Sequence, residues 1–283
     1  MSKGDLYESS IAGYALALVL HSVGFILLYK AKGSLPNQRI VTMNLAAAEI
    51  LHCFWQILQH IMILTNSFLW IKKEAFEALY IIIFLNQFLY LNIGLIFILI
   101  IIDRFLYIWL NIKYTVYITK TKLAIAILAQ WTLAAVASLI PVFLLRYRVI
   151  DGSTYMTNIL IFELATDIFI VSIALLTFTY LFLKVKSITQ QTNNQRSHIG
   201  ALNIWAKLKV PGLMVITFIT FNISSTILKY IYFSLQGTPL TVDILVTVLQ
   251  IIGWCSDAII YLLVQKRVRR LVSVDGGDTV ACE

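Results

Sequence analysis

Residues 95–105 read Leu95-Ile96-Phe97-Ile98-Leu99-Ile100-Ile101-Ile102-Asp103-Arg104-Phe105. An apolar run ends abruptly in a carboxylate and a guanidinium. A charge pair directly after such a run marks where a helix buried in an apolar medium meets water. The rest of the chain repeats this theme.

Of the 283 residues, 60% are hydrophobic and only 13% charged, and the mean hydropathy is +0.85. Soluble domains carry about 25% charged residues, so too little polar surface remains here to cover a soluble protein. In lipid every span must satisfy its own backbone, which leaves helices or closed barrels. The apolar runs are too long and continuous for the alternation of a barrel strand. The expected fold is therefore an all-α membrane protein. Met1-Ser-Lys-Gly-Asp5 lacks a basic region before an apolar core, so the first span is expected to act as its own insertion signal. Cys53 and Cys255 fall inside spans and Cys282 in the tail, which does not support a disulfide framework.

Apolar runs between charged breaks predict seven spans, at about 9–30, 39–64, 75–107, 120–145, 157–185, 208–235 and 240–264. Residues 1–8 form a short outer segment. Gly33 and Pro36 punctuate the first loop, Gly237 and Pro239 the last. Gln190-Gln-Thr-Asn-Asn-Gln195 reads as a polar inner loop. Gln265-Lys-Arg-Val-Arg-Arg-Leu-Val272 reads as a short cytoplasmic amphipathic helix with its cations among anionic headgroups, and a disordered tail is expected from Ser273. No internal repeat is found. The net charge of +8 is a topology signal, not a sign of nucleic-acid binding. Of the 22 Lys and Arg, six (Lys3, Lys72, Lys73, Arg146, Arg148, Lys229) fall on one side and the rest on the other. The positive-inside bias then places the N-terminus outside and the C-terminus in the cytoplasm.

Several landmarks occur in a telling order. They are Asn44-Leu-Ala-Ala-Ala-Glu49 on the second span, Asp103-Arg104-Phe105 with Ile108 and Tyr114 beyond it, Trp131 on the fourth, Tyr180 on the fifth, and Asp257-Ala-Ile-Ile-Tyr261 on the seventh. Together they resemble the rhodopsin-like (class A) family of G-protein-coupled receptors, over nearly the whole chain. The departures mark a divergent member. His21 replaces an Asn, and Asn111 and Ser172 stand where prolines are usual. Leu79 replaces the cysteine of the third helix. Phe221-Asn-Ile-Ser224 replaces the sixth-helix toggle, and Ala258 the seventh-helix proline.

The resemblance implies a seven-transmembrane bundle followed by a short helix 8, a plasma-membrane location, and a heterotrimeric G protein as partner. Asp103 would hold Arg104 at rest, and the freed arginine would meet the G protein, with Phe105, Tyr114, Tyr180 and Tyr261 around it. No Asp or Glu lies between Lys184 and Pro239, so Asp103 is read as the arginine's only restraint on that side and high basal activity is expected. Glu49 and Asp257 correspond to the family's sodium pocket. Two close carboxylates do not both ionise cheaply, so they are expected to share a Na⁺ or a proton, with Asn44, Ser256 and His21 nearby. By register with Arg104, a ligand pocket is expected at Asn86 and Tyr90, Thr226 and Lys229, and Asp243, Thr247 and Gln250. Glu163 and Asp167 share one face of the fifth span and face either this pocket or the fourth span. Asn86 stands where aminergic relatives carry Asp, which argues against a classical amine. No lysine lies between Lys229 and Lys266, so no retinal is expected.

His52 and His60 are eight apart, not the i, i+4 spacing of a helical metal pair. The reading is a receptor for a small molecule or short peptide, without enzymatic activity. The alternatives are a proton- or sodium-coupled carrier relaying through Glu49, Asp257 and Asp167, or a receptor-like protein that does not couple. An intramembrane hydrolase finds no clustered ligand set.

Overall fold

The computed structural model describes residues 3–30, 36–65, 76–110, 113–147, 152–191, 212–214, 216–234 and 240–275. Seven helices are long and apolar enough to cross a membrane. They are α1 (Lys3–Lys30), α2 (Pro36–Leu64), α3 (Phe76–Leu110), α4 (Lys120–Arg146), α5 (Gly152–Gln191), a sixth span that includes α6 (Ser224–Ser234), and α7 (Leu240–Asp275). A π-helical turn, Phe218–Ile223, leads into α6, and the whole sixth span is Gly212–Ile231. A one-turn helix, Tyr114–Tyr117, lies between α3 and α4. No strand occurs among the described residues. The all-α, seven-span reading stands.

The helices outrun the predicted spans because polar residues continue them into water. The 35 residues of α3 reach about 52 Å at 1.5 Å per residue, beyond a hydrocarbon core of about 30 Å. Gln190 and Gln191, expected in a loop, end α5. The basic stretch 265–272 continues α7 without a break instead of starting a separate helix. No Gly or Pro interrupts residues 254–275, and Gln, Lys, Arg and Leu are good helix formers. Ser273–Asp275, expected in the tail, belong to the same helix. Gly33, Asn111, Gly237, Pro239 and the tail beyond Asp275 lie outside the described residues.

The bundle closes on itself. α1 packs on α2 and α7, α3 packs on α2, α4 and α5, and the sixth span joins α5 to α7. Leu45, Ala46, Ile96, Phe97, Phe218 and Trp254 form the core between them. Outward faces are apolar: Leu128 is 68% exposed and Leu176 72%. Buried charge and exposed leucine together are the pattern of a protein whose solvent is lipid. Where Gly253 faces Phe221, an added Cβ would lie 3.0 Å from the Phe221 Cβ. Small residues permit such close helix approach in membranes.

Candidate functional site

At the end of α3 the Asp103–Arg104 pair is almost fully buried, each residue 4% exposed. The Arg104 Nη2 donates to Asp103 Oδ2, and the Tyr114 hydroxyl donates to Asp103 Oδ1. Arg104 Nη1 donates to Gln38 Oε1 at 2.9 Å, and its guanidinium lies 5.8 Å from the centre of the Tyr107 ring. Asn37 Nδ2 donates to the Ile118 carbonyl at 2.7 Å, which ties the start of α2 to the turn carrying Tyr114. Burial, then the Asp103 carboxylate that accepts from it, pushes the Tyr114 phenol well above its ordinary range, so it stays a donor. Asp103 is thus not the arginine's only restraint, because Gln38 from α2 holds it too. Gln38 was missed, although antiparallel α2 and α3 place the start of one beside the end of the other. Tyr180 is 43% exposed and packs on the Phe105 ring at 5.4 Å between centres, not on Arg104. Tyr261 lies on the α7 backbone, and its side chain is outside those described.

Deeper in the bundle, His21 Nδ1 lies 3.0 Å from Glu49 Oε2, and both side chains are fully buried. Asp257, 1% exposed, accepts from the Thr217 hydroxyl at 2.8 Å and lies within electrostatic reach of Glu49. The histidine, named beforehand as a nearby polar group, therefore contacts Glu49. Ser256 is half-buried beside Asp257. Asn44 does not join them, which corrects its assignment. Its Oδ1 accepts from Trp131 Nε1 at 2.8 Å and its Nδ2 donates to Gln130 Oε1 at 3.1 Å, so both polar atoms are engaged by α4. Gln130 Nε2 in turn donates to the Asn92 side chain and to the Asn92 carbonyl (3.2 Å for the latter). This amide ladder joins α2, α3 and α4, and neither Gln130 nor Asn92 was singled out beforehand.

A cavity of about 390 Å³ opens among α2, α3, α5, the sixth span and α7. Asn86, Tyr90, Lys229 and Gln250 line it as expected. So do Glu163 and Asp167, which settles the facing of that pair toward the cavity. The Tyr90 hydroxyl donates to Asp167 Oδ1 at 2.7 Å, and Gln87 Nε2 donates to Glu163 Oε1 at 3.3 Å. Trp55 Nε1 fixes Asn86 by donating to its Oδ1 at 2.8 Å. His52 lies against Trp254, ring centres 4.7 Å apart, and both line the cavity. Three assigned residues do not line it. Thr226 is buried and donates to the Asn222 carbonyl at 3.0 Å. Asp243 and Thr247 share the α7 stripe with Gln250 and Trp254 but sit one to two turns nearer its start, and the cavity ends before reaching them. Gln56, Gln59 and Gln87 also line it and were overlooked, since glutamines scattered in apolar spans give no periodic signal.

No protein-family model matches the chain, and no curated protein matches it.

Proposed function

We propose that this chain is a receptor of the rhodopsin-like type, which carries a small-ligand signal to a heterotrimeric G protein across the plasma membrane. The observation that carries the reading is the buried Asp103–Arg104 pair, latched by Tyr114 and Gln38 at one end of α3. The other half of the same helix lines the cavity through Asn86 and Tyr90. In this reading the N-terminus and the cavity face outside, and the latch faces the cytoplasm, in line with the positive-inside bias. Ligand contacts at Asn222 and Phe218 act on the π turn that carries both. Such turns recur at functional sites in helices. A shift there would strain the Thr217–Asp257 bond just below it and move the sixth span. Arg104 would then leave Asp103 and Gln38 for the G protein.

Nucleotide exchange tests this. Purified chain is mixed with G proteins of each major class, and GTP uptake is measured. Asp103→Asn should raise exchange above wild type, because the arginine loses its charged partner. Arg104→Ala should abolish it. Absence of exchange for all three proteins with every class would overturn the reading.

A coupled carrier is the second reading, favoured by one observation: His21, Glu49 and Asp257 form a buried set of titratable groups within the membrane. It calls for ion-driven uptake into proteoliposomes that fails in Glu49→Gln.

A further inference from the structure

Acidic side chains outnumber Lys and Arg in the described lining of the cavity. Two carboxylates line it from α5, Glu163 and Asp167, four residues apart on one face. Lys229 is the only Lys or Arg among its described lining residues. Lys229 forms no ion pair with either acid among the described residues. Asp167 is fully buried. Its Oδ1 accepts from Tyr90 and the Thr226 hydroxyl lies close to the carboxylate, while Oδ2 makes no hydrogen bond of good geometry among the described residues. Burying a carboxylate oxygen without a donor is costly, and Lys229 acts on the two acids only from beyond ion-pair distance, so the site has room for a closer cation.

The other walls say what kind of body that something has. The Tyr90, Trp254, His52 and Phe218 rings line the same cavity. Aromatic rings accept an apolar or aromatic body, and their faces attract cations. The volume of about 390 Å³ is near the small end for ligand pockets, which span about 300–1,000 Å³. Asn86 on α3 argued against an amine, but the structure brings the acid from α5 instead.

We infer that the cavity binds a small arylalkylamine, whose ammonium group takes Asp167 Oδ2 as counter-ion beside Glu163 and whose ring packs among Tyr90, Trp254 and His52. This deepens the ligand-site part of the function proposed above and does not depend on coupling to a G protein.

The test uses the purified full chain in nanodiscs and three probes of similar shape. They are phenethylamine (cation), 2-phenylethanol (neutral) and 3-phenylpropanoate (anion), with binding read by saturation-transfer NMR and by the thermal midpoint. Phenethylamine should bind saturably in the millimolar range or better and bind more tightly than the other two. Asp167→Asn keeps the shape and the Tyr90 contact, and should weaken phenethylamine about tenfold or more. The variant should fold at least as well as wild type without ligand, since an amide needs no counter-ion. Lys229→Gln should leave amine binding intact or tighten it. Equal binding of the alcohol, preference for the carboxylate with loss in Lys229→Gln, or no saturable binding of the amine would each overturn the proposal. The ranking of the three probes on wild type decides even where Asp167→Asn does not fold. Amine binding without nucleotide exchange would sink the receptor reading alone. Exchange without a preference for the cation would sink this one alone.

Discussion

Trp131 shows how a single N–H can join two helices. Its indole donates to Asn44, and Asn44 passes the connection to Gln130. Interhelical hydrogen bonds in membranes average about 0.6 kcal/mol and reach about 1.7 kcal/mol. Trp131→Phe removes the donor and leaves the Asn44 carbonyl unmatched, so it should cost an amount near the upper figure. Thr132→Val removes only a hydroxyl bonded within its own exposed turn and should cost little. Thermal midpoints of the two variants in one detergent check the contrast, and equal losses would refute it. Tyr114 gives a pH signature. Its phenol is raised above its ordinary value of 10.0 in the fold, first by burial and then by Asp103. The sign follows from linkage: the contribution is complete below the unfolded value and fades as pH rises through the folded one. The gap in midpoint between wild type and Tyr114→Phe should therefore stay flat from about pH 6 to about pH 9. A gap that narrows within that window would show the phenol titrating early. Asp103, Arg104 and Trp131 were legible in the sequence because charge or indole in an apolar run stands out. Gln38, Gln130 and Asn92 were not, because which partner an amide finds depends on helix rotation, and rotation is set by packing.

The sixth span departs most from a regular helix. Phe218–Ile223 is π-helical, and it carries Phe218 and Asn222 to the cavity wall while Phe221 presses on Gly253 of α7. Phe221-Asn222-Ile223-Ser224 looked unusual in sequence, yet its widened turn was not legible, since neither Pro nor Gly marks it. The seven spans were legible because uncharged length is a strong signal, whereas their ends were not. Helical propensity carries α5 to Gln191 and α7 to Asp275, well past the point where hydropathy stops. Close contact at Gly253 makes a specific forecast. In Gly253→Ala the new Cβ meets the Phe221 Cβ at 3.0 Å, an atom fixed to the backbone rather than the tip of a flexible chain. Overpacking of this kind costs about 1–3 kcal/mol. The helix-propensity gain of Ala over Gly offsets about 1 kcal/mol at most. A net loss of thermal midpoint is expected, and the double variant Gly253→Ala/Phe221→Leu should lose as much, because the clashing Cβ remains. Full recovery in the double variant would locate the clash in the ring instead.

Across the bundle, apolar side chains face outward while carboxylates, a guanidinium and imidazoles lie within. An arrangement of this sort places its electrostatic demands at helix junctions. One such demand is where α1, α2 and α7 meet, at His21, Glu49 and Asp257. Sequence alone paired the two acids with a sodium ion or a proton and put the histidine nearby. The structure brings the imidazole to 3.0 Å from Glu49, so a polar partner for that carboxylate is already built into α1. Removing one member of a buried pair typically costs 3–5 kcal/mol, whereas replacing both with apolar residues is often neutral. His21→Leu should therefore destabilise strongly, and His21→Leu/Glu49→Leu should recover most of the loss, the more so because Asp257 is relieved of a neighbouring charge. The same reasoning predicts a response to ions. With the imidazole present, Glu49 has less need of sodium, and the thermal midpoint of wild type should change little when Na⁺ replaces a bulky organic cation at constant ionic strength. In His21→Leu, Glu49 lacks that partner beside Asp257, and Na⁺ should raise the midpoint in a saturable way that Glu49→Gln abolishes. A sodium response equal in wild type and His21→Leu would show that the His21 contact does not lessen the need of Glu49 for a cation.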